Sequence, residues 1–182
     1  MMRNALSVAL TTLSVEELCK MDVRAINLLL LPPMGKDVLR PQVPDFALQN
    51  ICHVAGGVID EDETAKLFLC DDSGNLKQEG FDFHLFDLLG RRILFVSKKA
   101  FCDPSIRYKF YSMHAELLLL SCLLDREDEA FKLNLSLSSI SSELGIKVAC
   151  AYSFFDGKCG ISAWREGHKE TSCKAPYWEW AV

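Results

Sequence analysis

The chain has 182 residues, of which 49 % are hydrophobic and 25 % charged, and a net charge of −5. That is enough chain to bury roughly two thirds of its unfolded surface without staples, and it is too apolar for global disorder. The acidic balance, with basic pairs only at Arg91-Arg92 and Lys98-Lys99, argues against nucleic-acid binding, which needs a basic stripe; no apolar run reaches the ~20 residues of a membrane span.

Met1 to Leu13 carries one arginine and no acid, faintly like a targeting leader. Ser7, Thr11 and Thr12 interrupt it and no small-x-small cleavage site follows, so it reads as a flexible N-terminal segment. Ser14-Val15-Glu16-Glu17 is a capping box, and the apolar stripe behind it predicts a helix from Val15 to about Leu30, stopped by Pro32-Pro33. A proline-rich loop follows. Asp45 caps a second predicted helix, Phe46 to Ala55, with Gly56-Gly57 as its stop.

The period then changes. Lys66 to Cys70 reads as a strand, Asp72-Ser73-Gly74-Asn75 as a turn, and Leu76 to Phe81 as the returning strand. A short helical piece is expected at Phe83 to Leu89 and a buried strand at Arg92 to Ser97. Asp103-Pro104 is a strong start signal for a central, mostly buried helix over 104–124, apolar around much of its circumference.

Phe131, Leu133, Leu135 and Leu137 alternate with polar residues, so a half-buried strand is expected there, then a helical turn at Ser138 to Leu144. Strands Ile146–Phe154 and Lys158–Trp164 join at Asp156-Gly157, a two-residue hairpin signal. That register pairs Phe154 with Cys159 and places Val148, Cys150, Tyr152, Phe154, Cys159, Ile161 and Ala163 on one face. Strands gathered in hairpins predict one α+β domain over 1–182: a mainly antiparallel sheet packed on the central helix and N-terminal helices.

The eight cysteines (Cys19, Cys52, Cys70, Cys102, Cys122, Cys150, Cys159 and Cys173) are scattered, with no C-x-x-C pair. They read as free thiols of a cytoplasmic protein. No phosphate loop, dinucleotide fingerprint or G-x-S-x-G motif occurs. The acidic group Asp60-Glu61-Asp62-Glu63 lacks the spacing of a calcium loop and reads as solvated. His53, His84 and His168 fall in no metal-ligand pattern.

His114-Ala115-Glu116 resembles the H-A-E motif of the cytidine deaminase family. The resemblance implies zinc bound by His114 and proton transfer by Glu116. The P-C-x-x-C element that would complete such a site is absent after Glu116, and Cys150 and Cys159 flank a hairpin turn instead. The competing reading of His114 is the polar edge of an amphipathic helix.

Tyr177, Trp178 and Trp180 are either a partner-binding anchor or a last strand closing a sheet, the preferred reading: Trp178, Trp180 and Val182 share one side of an extended strand. With no complete catalytic motif, the sequence reading is a non-enzymatic, protein-binding or regulatory protein of the inhibitor, immunity or chaperone type. Its partner is another protein, homo-oligomerisation is open, and no cofactor or metal is assigned. The alternative is a hydrolase with a dispersed site, a metal-dependent deaminase-like enzyme centred on His114 and Glu116.

Overall fold

A computed structural model describes residues 5–21, 23, 25–61, 65–171 and 176–182, with the backbone alone at 38–41 and 77–80. Two β-sheets pack face to face, and helices cover the outer face of each. One sheet holds β1 (Ser7–Thr11), β2 (Leu28–Leu30), β3 (Met34–Gly35), β4 (His53–Ile59), β5 (Ala65–Cys70), β6 (Leu76–Phe81) and β13 (Tyr177–Ala181). Its order is β13-β1-β2-β4-β5-β6, with β3 beside β4. The other holds β7 (Phe83–Leu88), β8 (Arg91–Ser97), β9 (Leu117–Leu124), β10 (Lys147–Phe154), β11 (Cys159–Arg165) and β12 (His168–Lys169), in the order β12-β11-β10-β9-β8-β7.

The middle of each sheet is parallel: β1, β2 and β4 in one, β8, β9 and β10 in the other. Parallel neighbours need a crossover, usually a helix. Helices α1 (Val15–Leu18) and α2 (Lys36–Asn50) supply the first set, and α3 (Lys98–Cys102), α4 (Pro104–Met113) and α5 (Glu127–Leu144) the second. Three cores result. Strands covered on both faces need no polar alternation. Val8, Leu10, Leu28 and Leu30 meet Ile93, Phe95, Leu117 and Leu119 between the sheets. Val43, Phe46 and Ala47 of α2 cover Leu29, Val54 and Phe68. Leu133, Leu137 and Ile140 of α5 cover Leu118, Leu120, Val148 and Cys150.

The α+β class and the hairpins at the sheet edges match the sequence reading, and several elements do not. The capping box at Ser14 is present, with Glu17 accepting from the Ser14 N–H at 2.8 Å. Yet its helix lasts one turn, and Leu28–Leu30 is a buried parallel strand. Helix α2 runs through Pro41 and Pro44 and ends at Ile51 in the left-handed conformation. Gly56 and Gly57 lie inside β4, where a Cβ on Gly56 would sit 2.8 Å from the Phe68 ring. Residues 83–88 form a strand.

The expected central helix over 104–124 stops at Met113. His114 is left-handed at φ 49°, and Leu117–Leu124 is a fully buried strand between β8 and β10. Conversely, Phe131 to Leu137 belongs to α5, where Phe131 and Leu135 are 67 % and 58 % exposed. The β10–β11 register is slipped by one residue from the two-residue turn: Ser153 pairs with Cys159. The slip leaves Val148, Cys150, Tyr152 and Phe154 facing α5 and sends Ile161 and Ala163 to the inter-sheet core. Residues 7–11, expected in a flexible segment, form a central strand.

No helix among the described residues is long and apolar enough to cross a membrane.

Candidate functional site

Ligands of sheets with parallel strands commonly bind beyond the C-terminal ends of those strands. In this fold the ends of β8, β9 and β10 lie together beside the start of β5, and a cleft of about 480 Å³ opens there. Two hydroxyls hold the segment after β2 against this end. Ser121 Oγ on β9 donates to the Leu31 carbonyl at 2.9 Å, and Ser153 Oγ on β10 donates to the Pro33 carbonyl at 3.3 Å.

Ser97 stands where β8 becomes α3. Its Oγ accepts from the Ala100 N–H at 3.2 Å as the helix cap and donates to Asp82 Oδ1 at 3.3 Å. The Ser97 N–H donates to the Asp82 carbonyl at 2.7 Å. Ser97 is 3 % exposed, so it forms the floor of the cleft. Asp82, at the turn between β6 and β7, is exposed beside it.

Three cations surround this pair. Lys99 Nζ lies 3.7 Å from Asp82 Oδ2. Lys98 Nζ donates to Glu129 Oε2 at 2.8 Å and to the Leu123 carbonyl at 3.4 Å. Lys66 pairs with Asp60 at 2.5 Å. The hydrogen bond from Lys98 and a second from the Asp125 N–H hold the Glu129 carboxyl below its ordinary range. Cys102 also lines the cleft, at the end of α3. The Cys102 residue is exposed, yet partial desolvation of its thiol pushes it upward, and the nearby Lys98 and Arg107 only partly offset that. A nucleophilic cysteine needs the opposite shift.

The residues singled out from sequence lie elsewhere. His114 is exposed at the end of α4, and Glu116, two residues on, forms an ion pair with Arg91 at the start of β8, the opposite end from Ser97. Cys150 is buried under α5. Among the described residues no group of three or more His, Cys, Asp or Glu side chains could hold a metal. His53, His84 and His168 lie on β4, β7 and β12, and none lines the cleft. Asp60 is engaged by Lys66; Asp62 and Glu63 lie outside the described residues, as does Cys173. Tyr177, Trp178 and Trp180 form β13, antiparallel to β1, with Trp178 and Trp180 turned to the inter-sheet core and Tyr177 to the helix side.

Ser97, Asp82 and Lys99 carry no sequence signature, since a motif is local and these three meet only through the sheet. The available signal is positional: a small hydroxyl residue ending a buried strand, followed at once by a cap pattern.

No family model and no curated protein sequence matches the chain. Solved structures do. A crystal structure of an amidase from Nesterenkonia sp. matches with a TM-score of 0.76 at 12 % identity, covering 100 % of this chain and 92 % of that one. A glutamate-to-glutamine mutant of the amidase from Nesterenkonia sp. AN1, with the acetamide moiety of fluoroacetamide added covalently at its active-site cysteine, matches with a TM-score of 0.77 at 12 % identity and the same coverages. A cysteine-to-alanine mutant of the Nesterenkonia AN1 amidase, described as from the nitrilase superfamily, matches at 0.75 and 12 %, covering 97 % and 90 %. The chain therefore has the fold of these amidases over nearly its full length. This overturns the expectation of a non-enzymatic, regulatory protein of the inhibitor, immunity or chaperone type, because the whole fold is one on which these neighbours carry out covalent chemistry at an active-site residue.

Proposed function

We propose that the chain is a hydrolase of small amides or related acyl compounds, acting in the cleft at the C-terminal ends of β8, β9 and β10, with Ser97 as nucleophile. The observation that carries this reading is the Ser97–Asp82 hydrogen bond at the strand-to-helix junction. The amidase fold of the neighbours supports the reaction class.

Ser97 Oγ attacks the substrate carbonyl carbon as its proton passes to the Asp82 carboxylate, which acts as general base. The Lys99 ammonium supplies positive field for the oxygen that becomes anionic. Collapse of the tetrahedral adduct breaks the carbon–nitrogen bond, and the leaving amine takes the proton from Asp82. Water then attacks the acyl ester, Asp82 accepts its proton, and the hydroxyl of Ser97 is restored as the acid departs. Lys98, held by Glu129 and the Leu123 carbonyl, fixes one wall.

Ammonia release from a panel of short aliphatic amides tests this. The expected result is turnover that Ser97→Ala abolishes and Cys102→Ala largely retains, with Cys102→Ala melting close to the parent and Ser97→Ala folded but destabilised by the loss of its helix cap, about 0.5–2 kcal/mol. Turnover unchanged in Ser97→Ala, or none in the parent, contradicts it.

The described cysteines are all free, which supports placement in a reducing cytoplasm; a free-thiol count in denaturant without reductant tests that placement.

A further inference from the structure

At the other end of β8, β9 and β10 a second cleft of about 460 Å³ opens. Arg91 begins β8 and Ser97 ends it, so six steps of ~3.3 Å separate the two clefts by about 20 Å. Arg91, Lys147 and Arg165 line this second cleft, and Lys147 and Arg165 are direct cross-strand partners on β10 and β11.

Two of the three cations have carboxylate partners. Arg91 pairs with Glu116, and Arg165 Nε lies 3.1 Å from Glu170 Oε1. Lys147 makes no ion pair among the described residues. Its ammonium donates to the Ala181 carbonyl and lies 5.2 Å from the centroid of the Trp180 ring, with the Arg165 guanidinium 6.0 Å from the same ring. The Arg91 Nε is buried without a hydrogen-bond partner among the described residues. Burial, and then the like charges of Arg165 and Arg91, lower the Lys147 ammonium from its ordinary value, although Glu170 acts the other way. Two carboxylates, Glu116 and Glu166, line the cleft beside the three cations.

We propose that this cleft binds a phosphate group, with Lys147 and Arg165 as its principal ligands and Arg91 as a third cation. A phosphate carries more than one negative charge and several acceptor oxygens, so it can meet an ammonium and a guanidinium together. The carboxylates of Glu116 and Glu170 already engage the two arginines, so Lys147 is the one of the three cations without a carboxylate partner among the described residues. The phosphate can be free in solution or part of a monoester, and the chemistry of recognition is shared.

Titration of the full chain with inorganic phosphate and, separately, with phenyl phosphate tests this, by calorimetry at ionic strength held constant with chloride. Saturable binding is expected, and the tighter of the two probes identifies the source. Lys147→Met keeps the stem against Trp180 and should weaken binding roughly tenfold or more, the effect of losing one charge-assisted hydrogen bond. Lys147→Arg should retain it. If Lys147→Met does not fold, Arg165→Met gives the same readout. A response no greater than that of chloride, or equal affinity in the parent and in a folded variant lacking the cation, overturns the proposal. Amide turnover does not enter the measurement, so it stands or falls apart from the reaction at Ser97.

Discussion

Ser97 and Asp82 are joined twice: the serine N–H donates to the aspartate carbonyl at 2.7 Å and the serine Oγ to the aspartate carboxylate at 3.3 Å. The backbone bond fixes the distance between the two elements, and the side-chain bond aims the hydroxyl. Asp82→Asn keeps an acceptor for the hydroxyl but cannot take its proton. We expect it to lower kcat by roughly 10²–10⁴, the usual worth of a positioned general base, with an unchanged melting temperature. Equal loss of kcat and of stability would make Asp82 a structural residue instead.

The two sheets are tied by the buried Ser121 hydroxyl, which reaches across to the Leu31 carbonyl. Ser121→Ala removes the donor without filling the space. It should destabilise the fold by about 1–3 kcal/mol, the cost of leaving a buried polar group unpaired. A urea melt reads this directly, and a change within a few tenths of a kcal/mol (well under that range) would show that the bond is incidental.

Gly56 is held by close approach and needs no positive φ. A Cβ there would meet the Phe68 ring at 2.8 and 2.9 Å and the Leu31 Cβ at 3.2 Å, and both neighbours are fully packed. Gly56→Ala should cost about 1–3 kcal/mol through overpacking. Gly56→Ala combined with Phe68→Leu, which removes the clashing ring atoms, should cost less than the sum of the two single changes.

Much of this fold is legible in the sequence where local signals and tertiary packing agree. The Ser14 capping box, the Asp103-Pro104 helix start, the β5–β6 hairpin and the parity of Trp178, Trp180 and Val182 all depend on neighbours a few residues apart. The reading fails where burial on every side removes the period. Leu117–Leu124 is apolar whether it is a buried helix or a parallel strand, and only the left-handed His114 marks the break. The alternation at Phe131 to Leu137 hides the stripe that matters, Leu133, Leu137 and Ile140 at helical spacing. At β10–β11, one residue more in the turn exchanges the faces of β11. Ser97 and Asp82 are invisible as a pair because two strands separate them along the chain, and only the sheet brings them together.

The Glu129 carboxyl is lowered chiefly by its hydrogen bond from Lys98. A carboxylate with a depressed folded pKa stabilises the fold above its unfolded pKa, and that contribution is lost as pH falls through the folded value. Melting temperature should therefore fall as the pH drops from about 5 through the acid range, near the unfolded carboxyl value of ~4.3 and below. Glu129→Gln should show a shallower fall over the same window. Parallel curves for the two proteins would remove the Lys98–Glu129 bond from the account.

Cys102 lines the cleft proposed as the active site and is exposed, yet partial desolvation raises its thiol. Its alkylation by iodoacetamide should be slow at neutral pH and accelerate with pH beyond the ordinary thiol range of about 8–9. Rapid labelling at pH 7 would mean a stabilised thiolate, and would move the nucleophile from Ser97 to Cys102.

Trapping the acyl group tests the account most directly. The full chain, mixed with p-nitrophenyl acetate and quenched in acid, should gain the mass of one acetyl group, and peptide mapping should place it on Ser97. Ser97→Ala should gain none there while remaining folded, its melt lowered only by the loss of the α3 cap. Acetyl found only on Cys102 or on surface lysines, or no acetylation beyond that of the unfolded chain, would contradict the assignment of Ser97 as the nucleophile.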